Sequence, residues 1–367
     1  MNASEKYYQV ALSRIPQIGV VNARRLVSYI GSAAAIFQAS RAELQKIPHI
    51  GPILAESVFQ KFYLQEAEEI VQACVDRQIS MLFYLDADYP DRLKHIYDAP
   101  LLLYYQGTAQ LNQERSLAVV GTRKATDYGK RMTQSLVEQS LSCRVVFVSG
   151  LAYGIDIEVH KQCLALGVEN IAVLAGGFNY VYPSKHKKQL EQMLLHGGVL
   201  SEYPLHQKPD PRYFPLRNRI IAGMTDATVV VEAAEKGGAL ITADYANNYH
   251  REVFAVPGNL EKIFSEGCNT LIQKHKATIY TGWESLALQM NWISEGDRIQ
   301  TKKQMTWSRL TDDESHLMAI LVKEGPCSLD TLAWHVQKKV TDLAITLLNL
   351  EFQGLVKALP GYIYRVK

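Results

Sequence analysis

The chain has 367 residues, which suggests two or three domains at about 150 residues each. Hydrophobic residues make up 47% and charged residues 21%, which excludes global disorder, and no apolar run approaches the roughly 18 residues of a membrane helix. A formal net charge of only +2 excludes a polybasic binder, so any site for a polyanion must be local.

The opening MNASEKYYQVALSRIP lacks the basic-then-apolar order of a secretory leader. Cys74, Cys143, Cys163, Cys268 and Cys327 include no C-x-x-C pair, which argues against structural zinc and a disulfide scaffold. A reduced, cytoplasmic protein with no membrane segment is expected.

Residues 1–75 read as short helices with a duplication: IPQIG at 15–19 and IPHIG at 47–51, each leading into a helical pattern, 20–30 and 52–62. This is the look of tandem helix-hairpin-helix units, a SAM-like domain. The glycine turns the chain, and the next helix begins with free N–H groups that can hold a phosphate. A plain helical bundle with prolines and glycines at its corners fits as well, because Arg24 and Arg25 are nearly the only cations near the loops.

Residues 79–291 alternate apolar runs at 117–120, 145–148, 171–174, 198–200, 228–231 and 253–256 with helical stretches at 126–141, 157–166, 185–195, 217–223 and 240–248. The runs lack polar alternation, as strands buried on both faces do. The pattern predicts an α/β, Rossmann-like, doubly wound and mostly parallel sheet, whose ligands sit at the carboxyl ends of strands. Residues 292–307 read as a linker. Residues 308–367 show three helical patterns (312–323, 329–335, 340–352), a stop at Gly354 and two strand-like pieces, 355–359 and 362–366, the composition of a winged helix. Seven cations there balance seven acids, so docking to protein is as good a reading as binding to DNA.

The polar and glycine-rich turns cluster at the predicted strand ends. They are Gly121-Thr122-Arg123-Lys124, Ser149-Gly150 through Asp156, Gly176-Gly177 followed by the Lys185 cluster, and Glu232 leading to Gly237-Gly238 and Thr242. Glycine turns that open helices present N–H groups to phosphate. No G-x-G-x-x-G, G-x-x-x-x-G-K-[ST] or G-x-S-x-G occurs, which argues against a dinucleotide, a P-loop nucleotide and a serine hydrolase. Asp156 and His160 at i, i+4 lack a third metal ligand. They read better as a helix cap and a packed imidazole. Residues 201–223 carry Lys208, Arg212, Arg217 and Arg219 against Glu202 and Asp210, as much net charge as the whole chain. Within them, Tyr213-Phe214-Pro215-Leu216-Arg217-Asn218-Arg219 sets aromatics beside arginines, a pattern suited to stacked bases and gripped phosphates. The competing reading puts Phe214 in the core and pairs Arg217 with Glu202 or Glu232.

These blocks resemble the DNA-processing protein A (DprA, or Smf) family of bacteria. The resemblance runs through residues 88–288: GTR at 121–123, SGLAYGID at 149–156, LAGG at 174–177, SEYP at 201–204, FPLRNRIIAG at 214–223, LITADYA at 240–246, REVFAVPGN at 251–259 and EGCNTLI at 266–272. The chain departs at Gly237-Gly238-Ala239-Leu240, where Ser-Gly-Ser-Leu is usual, and at His186, where Asn is common. The resemblance implies a non-enzymatic, cofactor-free protein that binds single-stranded DNA during natural transformation, protects it and loads the RecA recombinase. It also implies a homodimer joined through the Rossmann-like domain. On residue identity, Arg123, Ser149, Gly150, Lys185, Arg217, Asn218 and Arg219 are expected at phosphate, Phe214 against a base, and Gly238 and Thr242 in the same pocket. An enzyme acting on nucleoside phosphates is the alternative, with Glu232, Gly237, Gly238 and Thr242 as a loose echo of its phosphate turn.

Overall fold

The computed structural model describes residues 3–293, 310–352 and 355–366. The stop expected at Gly354 and nearly all of the linker expected at 292–307 lie outside them. The chain divides into two compact units, Met1–Trp292 and Ile293–Lys367.

The first unit is built on a nine-stranded sheet. Its strands are β1 (Ser80–Phe83), β2 (Leu102–Gly107), β3 (Ser116–Val120), β4 (Val146–Ser149), β5 (Asn170–Leu174), β6 (Gly197–Ser201), β7 (Ala227–Val230), β8 (Glu252–Ala255) and β9 (Thr278–Ile279). The order across the sheet is β1-β2-β6-β5-β4-β3-β7-β8-β9. From β6 to β9 every pairing is parallel, whereas β1 and β2 add to the β6 edge antiparallel. The six expected strands are the parallel core. Every residue of β3, β4 and β5 is buried, the physical basis of their unbroken apolar runs. Alternate side chains serve two faces. Ala118, Val120, Val148 and Val173 pack with Ile220, Ala243 and Leu271 from helices on one side. Ala172, Leu174 and Val199 pack with Ile157, Leu190 and Met193 from helices on the other.

The topology fixes where a ligand can sit. From β3 the chain steps outward through β4, β5 and β6, then returns along helix Tyr213–Gly223 to lay β7 on the opposite side of β3. The direction of winding therefore reverses between β3 and β7. Connections leave that point in opposite directions and open a crevice at the strands' carboxyl ends.

The helical N-terminal region packs against the β1–β2 side. Its core, with Leu12, Leu26, Leu44 and Ile70, is continuous with Phe83, Leu102, Tyr104 and Leu205. The duplicated motif folds as a duplicated turn: Ile18 N–H donates to Ile15 O and Ile50 N–H to Ile47 O, both at 3.0 Å. Both isoleucines of each motif are buried. The second motif opens a shorter helix than expected, Pro52–Val58, and a separate helix Lys61–Asp76 follows.

In the second unit, helices Asp312–Glu324, Leu329–Val336 and Val340–Phe352 enclose Leu317, Leu321, Leu332, Leu343, Leu347 and Leu350. Thr311 and Glu314 form a reciprocal capping box at the first helix. The wing has three strands rather than two, because β10 (Cys327–Ser328) joins β12 (Ile363–Val366), which also pairs with β11 (Val356–Leu359). Two residues are too few for an apolar alternation to register in the sequence. Helix Val340–Phe352 contains no lysine or arginine and exposes Ile345, Leu348 and Phe352.

Candidate nucleic-acid interface

A cleft of about 290 Å³ occupies the reversal point between β3 and β7. One wall is Gly121, Thr122 and Arg123, following β3. The facing wall is Ala233, Ala234 and the start of helix Gly238–Asn248, and Phe214, Arg217, Asn218 and Ile221 complete it. Those last four lie at i, i+3, i+4 and i+7 of helix Tyr213–Gly223, one face of an α-helix. That helix begins earlier than expected. Pro215 falls in its first turn, where an N–H has no helical partner to lose.

Close backbone approach shapes the walls. Gly154 has φ of +81°, and a side chain there would collide with the Thr122 carbonyl, so glycine lets the turn after β4 press on the turn after β3. Ile155 N–H then donates to Thr122 O at 3.2 Å, and Thr122 N–H to Glu232 O at 2.7 Å. Helix Gly238–Asn248 meets the cleft with no side-chain cap at Gly237, which leaves its first N–H groups to a ligand. A Cβ at Gly238 would meet nothing within 4 Å, so lack of room does not require glycine there, and the serines usual at the flanking positions are Gly237 and Ala239 in this chain.

The expected site residues fall into two groups. Arg123, Lys185, Phe214, Asn218 and Gly238 reach the surface. The Arg123 guanidinium lies 5.5 Å from the centre of the Phe214 ring, and Tyr182 meets that ring edge-on at 5.6 Å. Asn218 bridges two helices, accepting from Arg217 Nε at 3.2 Å and donating to Gly238 O at 3.4 Å. Thr242 lines the cleft from a buried position.

Ser149, Gly150, Arg217 and Arg219 are placed differently, and their expected phosphate contacts need correction. Ser149 is fully buried and donates to Val119 O at 2.6 Å, tying β4 to β3. Gly150 is buried, and any side chain there would strike the Arg217 guanidinium; its role is to leave room. Arg217 is 3% exposed, and its Nη1 donates to the carbonyls of Gly150, at 2.6 Å, and Val173. Burial pulls it down to about 10, with Asp156 as the largest opposing charge. It stays cationic at neutral pH, a fixed charge in the cleft floor. Arg219 points away from the cleft. It forms a two-pronged pair with Glu202 at 2.5 and 2.6 Å and donates to Asp98 O at 2.7 Å. Glu202 thus takes Arg219 rather than Arg217, while Glu232 takes Thr126, accepting from its N–H at 2.9 Å and from its hydroxyl.

Asp156 is buried in the cleft wall, and desolvation raises it, opposed chiefly by Arg217. His160 Nδ1 lies 2.8 Å from Asn170 Oδ1, and burial lowers it to about 4. His186 is buried, its Nδ1 2.8 Å from Leu151 O, so its ring is held inward rather than presented at the surface. Among the described residues no cluster of three metal-ligating groups occurs. Sequence reasoning did not single out Tyr153, Tyr180 and Tyr182, which are at least two-fifths exposed. Lys208 Nζ lies 5.9 Å from the centre of the Tyr180 ring. Tyrosines in the turns after β4 and β5, both ends of buried strands, were the available signal.

A family model described as "DNA recombination-mediator protein A" matches residues 80–291, flanked by "Helix-hairpin-helix motif" at 9–71 and "DprA winged helix domain" at 302–362. The chain belongs to the DprA/Smf family. Protein Smf of Synechocystis is 32% identical over 396 aligned positions, covering 100% of both chains. DNA processing protein DprA of Streptococcus pneumoniae is 39% identical over 55% of this chain and 72% of its own. The solved structure of the pneumococcal DprA superposes with a TM-score of 0.66 at 30% identity, over 77% of this chain and 97% of that one. A solved structure of DNA processing protein A from Helicobacter pylori, described for its single-stranded DNA binding mode, gives a TM-score of 0.53 at 27% identity, over 58% of this chain and 96% of that one. Among the described residues no helix is long and apolar enough to cross a membrane.

Proposed function

We propose that this protein binds single-stranded DNA at the β3–β7 cleft as a recombination mediator, without catalysing a reaction on it. The observation that carries the reading is the cleft itself. It combines the uncapped start of helix Gly238–Asn248, a buried cation at Arg217, and a rim where Arg123 and Phe214 meet at 5.5 Å. Helix N–H groups and a fixed positive charge favour phosphate. An aromatic face beside a guanidinium suits an unpaired base, whose π-face is free only when it is not stacked in a duplex. Lys124, Lys185, Lys188 and Lys208 are exposed around the same strand ends and extend the positive rim.

RecA loading, action as a homodimer through the Rossmann-like region, and a cytoplasmic location complete the proposal, supported by family membership. The winged helix, with no cation on helix Val340–Phe352, serves in this reading to dock protein. A titration of labelled oligonucleotides of matched length, single- and double-stranded, at two salt concentrations tests the core of it. Preference for the single strand is expected, with a log–log salt slope of about −0.7 per neutralised phosphate. Equal affinity for duplex overturns it. Pull-down of RecA with and without DNA, and the solution mass of the free protein, test the two partner assignments.

A further inference from the structure

A second depression lies beside the cleft, lined by Thr126, Tyr128, Glu232, Pro257, Lys262, Phe264 and their neighbours. Its volume, about 770 Å³, falls in the roughly 300–1,000 Å³ range of small-molecule sites, and its wall is mostly apolar. Loop 121–126 divides the two. Thr122 and Arg123 line the cleft and Thr126 lines the second depression, while Arg123 and Lys124 are exposed between them. A phosphate held on that loop therefore has one neighbouring nucleotide on each side.

The depression carries one chemical feature the cleft lacks. Glu232 is 4% exposed, and among the described residues its carboxylate takes hydrogen bonds from Thr126 alone and no cation within ion-pair distance. Gly129 leaves the room it occupies, since a side chain there would strike Oε2. Helix capping does not account for it fully, because Thr126 Oγ1 already caps helix Asp127–Gln139 by accepting from Gly129 N–H at 3.3 Å. An ionised carboxylate only accepts, and two oxygens offer about four acceptor positions, more than Thr126 uses. Among the bases only guanine sets two donors, N1–H and N2–H, side by side on its pairing edge. Adenine and cytosine place a ring acceptor beside their amino group, and thymine flanks its N3–H with carbonyls, so each turns a lone pair toward the carboxylate.

We propose that this depression is a base subsite, with Phe264 and Tyr128 against the ring and Glu232 on the N1–N2 edge of guanine. The protein therefore favours a strand with guanine next to the phosphate held by loop 121–126. This rests on single-strand binding at the cleft, and the test separates the two. Short oligothymidylates in which one position at a time is replaced by guanine, 7-deazaguanine or inosine are titrated by fluorescence anisotropy against the full chain. Guanine at one position is expected to tighten binding about tenfold, 7-deazaguanine equally, and inosine, which lacks the N2 amine, by much less. Glu232→Gln should erase the difference while oligothymidylate still binds. Should that variant fail to fold, the comparison of inosine with guanine on the unaltered protein decides alone. If oligothymidylate binds but guanine gains nothing at any position, the subsite is overturned while the cleft stands. If nothing single-stranded binds, both fall. If Ile263→Asp, on the exposed rim, changes the oligomeric state and guanine gives no gain at any position on the unaltered protein, the depression is a protein-docking surface and the proposal is wrong.

Discussion

The floor and the rim of the cleft use the same residue type in opposite ways. Arg217 in the floor is 3% exposed and held by backbone carbonyls, as Arg219, 8% exposed and turned away from the cleft, is held by Glu202, whereas Arg123 on the rim is exposed over an aromatic ring. A buried guanidinium shapes the fold and sets a local potential, and it cannot follow a moving ligand. An exposed one gives little to the fold and is free to neutralise phosphate. The difference teaches that local charge in a sequence locates a basic site without saying which of its charges touch the ligand.

Substitution of Arg217 breaks the comparison most severely. Arg217→Ala strands the carbonyls of Gly150 and Val173 and opens a cavity, so stability should fall by about 3 kcal/mol or more. Thermal unfolding measures this, and single-strand binding should be lost in the same variant. A stable variant that binds normally would show that the floor charge does nothing. His160 tests the floor by pH. Its folded value of about 4 lies below the 6.5 of an exposed histidine, so the unfolded chain takes the proton first. Its contribution is fully present above pH 6.5 and is lost as pH falls through 4, by a total of order 3 kcal/mol. His160→Gln should flatten the stability curve in that window relative to the parent, and an unchanged slope would remove the buried imidazole from the account.

Arg219→Ala is the next step down. It leaves Glu202 without its cation, but that carboxylate keeps about a fifth of its surface in water, so a loss of about 2 kcal/mol is expected. Affinity for DNA per folded molecule should not change. A selective loss of binding with normal stability would return Arg219 to the ligand. Phe214→Ala belongs to the rim, and there the order reverses. The fold should tolerate it, and binding to a single strand should weaken by about 1–3 kcal/mol if a base stacks on the ring.

Much of this was legible in advance, for a physical reason. Strands buried on both faces must be apolar throughout, and the six runs that met that condition are β3 to β8. β1 and β2 were not seen because a four-residue edge strand and a run mixed with tyrosines carry neither a clear alternation nor a long apolar signal. The arginines were misjudged on identity although spacing could have sorted them. At about 100° per residue, positions 217 and 219 lie about 200° apart and cannot face one cleft together. The stripe 214, 217, 218 and 221 marks the cleft face and leaves 219 out. What spacing could not supply is depth, because the burial of Arg217 depends on glycine at 150, a strand away in the fold.

The smallest effect is the most diagnostic of the rim. Arg123→Ala and Lys185→Ala remove exposed charges with no ion-pair partner among the described residues, so neither should move the unfolding midpoint measurably. Each should weaken single-strand binding and lower the magnitude of the log–log salt slope by about 0.7, by equal amounts on any sequence, because a phosphate contact carries no base information. The two should add, being separate side chains on different strand-end turns. Arg123 has a second consequence that Lys185 lacks. Its guanidinium lies over Phe214, so its removal frees that ring, and Arg123→Ala combined with Phe214→Ala should fall short of additivity. If both cations alter the slope but Arg123 and Phe214 prove independent, phosphate and base are gripped by separate elements, and the rim is a set of point charges rather than a joined platform.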